Sequence, residues 1–243
     1  MSSVPQGDLG PRRRCCAVLS IANVTWLLMS FGMFGSVFLL AQFFQIVQGY
    51  SPLEAGVRTL PWTAMPIFVA PIAGMVSDRI GARPLLVAGM ALMAAGLAWI
   101  AVVTTPAVPY PKLIPALVMA GVGMSLYFAP VANLVLSTVR RKEEGKASGV
   151  NNTVREVGGV FGVAVLASVF SAVGGYASAQ LFVDGMTAAL WVGAAAVAIA
   201  GLAAVAIPPR QDVVPGSMSL LERDERDGAS VASALTGEPE AAA

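Results

Sequence analysis

Six apolar stretches, at roughly 23–47, 59–77, 84–104, 113–137, 154–173 and 186–207, each reach the length needed to cross a bilayer. A helix rising ~1.5 Å per residue needs ~20 such residues to traverse ~30 Å of hydrocarbon. Backbone polar groups in lipid must be satisfied within the segment, so each stretch is expected to be a helix. The rest of the 243-residue chain agrees: 56% hydrophobic and 12% charged residues leave too little polar surface to clothe a soluble domain. The expected fold class is therefore all-α, a polytopic membrane protein of six transmembrane helices. It divides into a segment over 1–16, a membrane domain over 17–207 and a polar tail over 208–243.

Several function classes are excluded by what is missing. There is no histidine, and the two cysteines are the adjacent Cys15 and Cys16, which removes His-based catalysis, His/Cys metal sites and a disulfide framework. That pair is read either as two unpaired interfacial thiols or as an acylation site. A formal net charge of +1 gives no reason to expect nucleic acid as a partner. With no nucleophile motif and no paired intramembrane acids, catalysis is not expected, and neither is a cofactor or a metal.

Charge distribution sets the expected orientation. Arg12, Arg13, Arg14, Arg79, Arg83, Arg140, Arg141, Lys142, Lys146, Arg210, Arg223 and Arg226 fall on one set of connections, and only Arg58 and Lys112 on the other. Positive residues stay cytoplasmic, so both termini are expected inside, with the chain in the plasma membrane. The mixed-charge run from Glu222 to Asp227 and the Ala-, Ser- and Glu-rich end could build no core, and 208–243 is expected to be a disordered tail.

Between the second and third stretches lies Gly74, Met75, Val76, Ser77, Asp78, Arg79, Ile80, Gly81, Ala82, Arg83, Pro84. The chain must reverse here within about six residues, which a glycine in a left-handed conformation at position 81 would permit. Pro84 fits the first turn of the next helix. Asp78, Arg79 and Arg83 would gather at the membrane face near that helix's positive end. After the first stretch, Ser51, Pro52 and Glu54 form a capping box within Q-G-Y-S-P-L-E-A-G-V-R-T-L-P. Ahead of and into the fifth stretch runs G-x-N-N-x-x-R-x-x-G-G-x-x-G, containing Asn151, Asn152, Arg155, Glu156, Gly158 and Gly162. Gly158 and Gly162 make a G-x-x-x-G face for close helix packing.

Together these three patches resemble the major facilitator superfamily, and within it the drug:proton antiporters of fourteen spans. G-x-x-x-D-R-x-G-x-R is similar to that superfamily's signature loop. By that resemblance Gly74, Asp78, Arg79, Gly81 and Arg83 form a conformational latch that stabilises one state of alternating access. The fourth span lacks R-x-x-Q-G and the fifth lacks a proline motif, so the chain resembles the C-terminal six-span half. The resemblance implies proton-driven export of hydrophobic or cationic drugs, with the proton gradient as the only coupling source.

Polar residues within the spans carry two readings. Gln42 and Gln45, on a stripe with Phe34 and Phe38, and Asn133 in the fourth span either hydrogen-bond between helices or line a substrate cavity. No Asp or Glu falls near the middle of any span. Glu156 is the nearest candidate for proton binding, and beside Arg155 it is read first as an ion pair. The expected partners are the lipid bilayer, hydrophobic or cationic small molecules, and a separate N-terminal half or a second copy. The alternative is a shortened or split-gene product with a structural or partner-binding role and no transport of its own.

Overall fold

The computed structural model describes residues 9–137 and 144–205, and among these the regular structure is entirely helical. Span one is α1 (Leu9–Gln42), continued by one π-helical turn over Phe43–Val47. Span two is broken into α2 (Pro52–Thr63) and α3 (Met65–Ile80). Spans three to six are α4 (Ala82–Val103), α5 (Tyr110–Ser137), α6 (Glu144–Val173) and α7 (Ala179–Val205). The tail over 208–243, the basic residues 140–142, and the side chains of residues 12–16, Asp78, Asn133 and Lys146 lie outside the described residues.

All six spans are apolar and long enough to cross a membrane, but they start earlier than hydropathy indicates. Span two begins at Pro52 rather than 59 because Ser51 caps it: Ser51 Oγ accepts from Glu54 N at 3.3 Å, and Ser51 N donates to the Glu54 carboxylate at 2.9 Å. Helix α6 begins at Glu144, ten residues before the expected 154, and α7 begins at Ala179 rather than 186. Capping, which apolar composition does not register, sets the starts of α2 at Ser51 and of α7 at Ser178, whose Oγ accepts from Leu181 N at 3.2 Å, while α6 is already helical ahead of its apolar part. Pro66, near the start of α3, cannot donate to a preceding turn, and α2 and α3 are divided at Ala64.

Packing partners define the architecture. Span one packs chiefly on spans five and six, span four on spans two and three, and spans three and six on each other. The spans thus follow one another in the order five, one, six, three, four, two, with one and four the inner members of two arms that spans three and six join. Equivalent spans run in opposite directions, since span one leaves the Gly81 end of the bundle and span four approaches it. This is the pattern of an inverted three-helix repeat.

Bare backbone lets these helices approach. A Cβ on Gly158 would meet Leu27 O at 2.5 Å, and one on Gly162 would meet Phe31 Cα at 2.7 Å, which locks α6 onto α1. Gly89 and Gly123 do the same between α4 and α5, each within 2.7 Å of the other's carbonyl oxygen if given a Cβ. With lipid as apolar as leucine, van der Waals contact at such small residues drives association.

Candidate functional site

Flanking spans two and five are the least enclosed. Only 11% of the apolar window of span two and 28% of that of span five are buried, against 44–56% for the other four. These two spans therefore leave most of their apolar surface uncovered by the rest of the bundle.

Span one presents its stripe of Phe34, Phe38, Gln42 and Gln45 outside its buried seam, with Phe38 and Gln45 exposed and Phe34 and Gln42 half-buried. The π turn follows directly after Gln42, widening the helix where the stripe ends. The two glutamines take different partners. Gln42 Oε1 accepts from Tyr176 Oη at 2.7 Å, tying span one to the connection between spans five and six, while Gln45 Nε2 donates to Ala41 O at 3.3 Å.

A shallow, open groove of about 490 Å³ lies along the contact of spans one and five, lined by Phe34 of span one and by Glu156, Gly159, Val160, Val163 and Ala164 of span five. Its apolar wall carries one carboxylate. Glu156 is the ninth residue of the 26-residue span Ser148–Val173, so it stands further along span five than the cytoplasmic entry expected from sequence. Arg155 Nη2 contacts Glu156 Oε1 at 2.6 Å, with the glutamate side chain 56% exposed and the arginine 35%. Asn152 is exposed and Asn151 half-buried one turn earlier. Asn151 Oδ1 and Arg155 Nε are buried without a hydrogen-bond partner, as is Asn23 Oδ1 on span one. From the parallel register set by Gly158 on Leu27, Asn23 stands about level with Arg155. Asn23 was not singled out from the sequence, because nothing local distinguishes it.

Toward the same end, inner spans one and four meet at an aromatic and polar contact. Thr25 Oγ1 lies 2.9 Å from Tyr127 Oη, both residues fully buried. Trp26 stacks on Tyr127 with centroids 5.2 Å apart and meets Phe128 edge-on at 5.0 Å. At this end too, the signature loop turns at Gly81, whose φ of 88° and ψ of 163° lie outside the left-handed helical region, in a region that is essentially glycine-only. Helix α4 starts at Ala82, so Pro84 falls in its first turn. Arg79 lies exposed in the last turn of α3, Arg83 half-buried in the first turn of α4, and Gly74 has open space around it.

The opposite end is closed by Arg58. Its guanidinium carbon stands 3.5 Å from the centroid of Tyr50 and 5.4 Å from that of Tyr110, while Tyr110 Oη donates to Arg58 O at 3.1 Å. Gln48 Nε2 donates to Val108 O at 2.9 Å. These contacts join the end of span one, the start of span two and the start of span four.

Among the described residues, the acids of the membrane helices sit in the outer parts of the bundle. Glu54 is in the first turn of α2, Asp184 is near the start of α7 and accepts from Gln180 Nε2 at 2.8 Å, and Glu156 is about a third of the way along the span Ser148–Val173.

Known proteins give this arrangement a context. The family model described as Major Facilitator Superfamily matches residues 12–163. The "Multidrug resistance protein Stp" of Mycobacterium tuberculosis is 32% identical over 171 residues, which are 70% of this chain and 31% of that protein. The "Tetracenomycin C resistance and export protein" of Streptomyces glaucescens is 35% identical over 150 residues, 61% of this chain and 27% of that one. The "Multidrug transporter protein MdtP" of Bacillus subtilis is 33% identical over 153 residues, 62% and 28% respectively. The chain thus spans under a third of the length of these relatives. A family match over more than half of the chain, laid on six membrane helices in an inverted three-plus-three arrangement, makes this multi-pass membrane protein a member of the Major Facilitator Superfamily.

Proposed function

We propose that this bundle is the C-terminal wall of a proton-driven exporter of hydrophobic or cationic drugs, sitting in the plasma membrane with both termini cytoplasmic. The observation that carries this reading is the groove along spans one and five, where Phe34, Val160 and Val163 offer apolar and aromatic surface and Glu156 an exposed carboxylate for which a cation would compete with Arg155. An apolar cation would lie against the ring, with its charge toward the carboxylate. The neighbouring stripe of Phe38, Gln42 and Gln45 extends the wall with sparse polar anchors. The names of the relatives support export as the direction. The loop of Asp78, Arg79, Gly81 and Arg83 acts as the latch of one state, and a separate N-terminal half or a second copy supplies the facing wall.

A test is cysteine accessibility at Val160 in a background lacking Cys15 and Cys16, with the chain coexpressed with a matching first half. Ethidium should slow maleimide labelling of Val160→Cys, and adding Glu156→Gln should remove that protection. Labelling that ignores ethidium in both backgrounds would place the groove outside the drug path.

One observation favours a second reading, a structural or partner-binding role without transport of its own: among the described residues, no Asp or Glu lies at the centre of a span. Proton coupling needs an ionisable group at depth, and in the first reading the facing wall provides it.

A further inference from the structure

At the end of the bundle remote from the signature loop, the π turn of span one builds a group of inclined rings. Gln48 N donates to Phe43 O at 3.2 Å, and Gly49, with φ of 71°, folds the chain back so that Tyr50 N donates to Phe44 O at 3.0 Å. Tyr50 is thereby set beside Phe44, with ring centroids 6.3 Å apart, and Tyr110 at the start of span four meets the same Phe44 at 6.2 Å. Their planes are inclined to Phe44 by 50° and 67°, so the three rings stand as walls and do not stack. Phe44 is fully buried behind the two tyrosines, which are half-buried and reachable from water. Arg58 of α2 reaches in, with its guanidinium carbon 3.5 Å from the centroid of Tyr50 and 5.4 Å from that of Tyr110. Among the described residues this guanidinium makes no ion pair, and its Nε is buried without a hydrogen-bond partner. The ring faces therefore hold the charge.

We propose that Tyr50, Tyr110 and Phe44 form a second cation site, for quaternary ammonium and other apolar cations, in which Arg58 is the resident competitor. Its place on an exit path rests on the export reading above, whereas the ring site itself does not. Electron-rich ring faces attract cations, and walls without a hydrogen-bond acceptor suit a cation that has no hydrogen to donate. Arg58 also has somewhere to go. Glu54, one turn earlier on α2, is an exposed carboxylate held only by Ser51 N at 2.9 Å and Ser51 Oγ at 3.0 Å, and the i, i+4 spacing brings the two side chains within reach. The rings do not depend on the guanidinium for their position, because Tyr110 Oη donates to the backbone oxygen of Arg58 at 3.1 Å and Gln48 Nε2 to Val108 O at 2.9 Å. An arriving cation would thus send Arg58 to Glu54 and release one tie between span two and the ends of spans one and four. The return of Arg58 to the rings would expel the cation.

Fluorine NMR of the full chain in uncharged detergent, with its four tyrosines replaced by fluorotyrosine, reads the rings directly. Tetramethylammonium chloride should move the Tyr50 and Tyr110 signals saturably and leave those of Tyr127 and Tyr176 in place. Sodium chloride at equal ionic strength should move none of them. Arg58→Gln removes the competitor and should tighten binding about tenfold. Glu54→Gln keeps the helix cap but offers Arg58 no charge, so it should weaken binding about twofold, and should have no effect once Arg58→Gln is present. Tyr50→Leu should abolish the Tyr110 shift. The wild-type and Glu54→Gln titrations leave Arg58 in place, so the decision does not hang on the folding of Arg58→Gln. Absence of a saturable shift in the wild-type chain, equal shifts with sodium, or an Arg58→Gln chain that folds and binds no tighter would overturn the proposal. Saturation of the rings while ethidium fails to protect Val160→Cys would sink the drug path along spans one and five and leave this site standing. Protection at Val160 with silent rings would do the reverse.

Discussion

Thr25 and Tyr127, 102 positions apart in sequence, share a 2.9 Å hydrogen bond that joins the two inner spans inside a fully buried contact. Thr25 Oγ1 also donates to Ala22 O at 2.9 Å, which leaves Tyr127 to donate across the interface. The two ends of the bond are therefore not equivalent. Tyr127→Phe removes a donor and leaves Thr25 its backbone partner, so unfolding in detergent should shift by only about 0.6 kcal/mol, the average for such bonds in membranes. Thr25→Val strands a buried hydroxyl and should cost about 1–3 kcal/mol. Equal costs, or the reverse order, would show that the bond does not run in this direction.

The glycines of α6 divide into two kinds with opposite expected responses. Gly162 has Phe31 backbone where a Cβ would go, whereas Gly145 and Gly149 have nothing within 4 Å. Gly162→Ala should destabilise the chain, because backbone rather than a flexible side chain must move. Gly149→Ala should stabilise it by up to about 1 kcal/mol through helix propensity. Thermal melts of the two variants in the same detergent provide the comparison, and a neutral Gly162→Ala would show that α1 and α6 do not pack this closely.

The signature loop separates folding from transport. Gly81 occupies a backbone region that a side chain rarely enters, so Gly81→Val should lower folded yield. Asp78→Asn should leave insertion intact and, in an assembly that transports, impair transport, because it removes one charge of the proposed latch without shortening the turn. Unchanged transport kinetics for Asp78→Asn at normal expression would reduce the loop to a topology signal.

Orientation can be read by labelling single cysteines from outside cells that lack Cys15 and Cys16. Ser178, in the connection between spans five and six, should react as cysteine with an impermeant reagent, and Ser217 in the tail should not. The reverse pattern would invert the bundle.

Much of this architecture was legible because it rests on local chemistry. Span number followed from apolar length, and the start of α2 was written in Ser51, Pro52 and Glu54, although hydropathy placed the span's beginning at 59. Length alone does not reveal that α6 reaches back at least to Glu144, well ahead of the entry to span five near which Glu156 is expected. What sequence could not supply were the pairings between distant residues. Tyr176 with Gln42, Thr25 with Tyr127 and Arg58 with Tyr110 join positions 134, 102 and 52 apart. Nor did any local signal mark the π turn at Phe43–Val47, or the level that Asn23 shares with Arg155.

The most direct test of the central claim, that this bundle is one wall of a two-walled exporter, is drug-dependent proton movement in liposomes. A facilitator alternates access by rocking two halves around a shared site, and a gradient biases that cycle only through a group that binds protons differently in the two states. The account predicts no drug-dependent proton flux from the purified chain alone, and flux when it is coassembled with a matching first half. Robust drug/proton exchange by the chain alone, abolished by Glu156→Gln, would contradict it and make Glu156 the coupling residue.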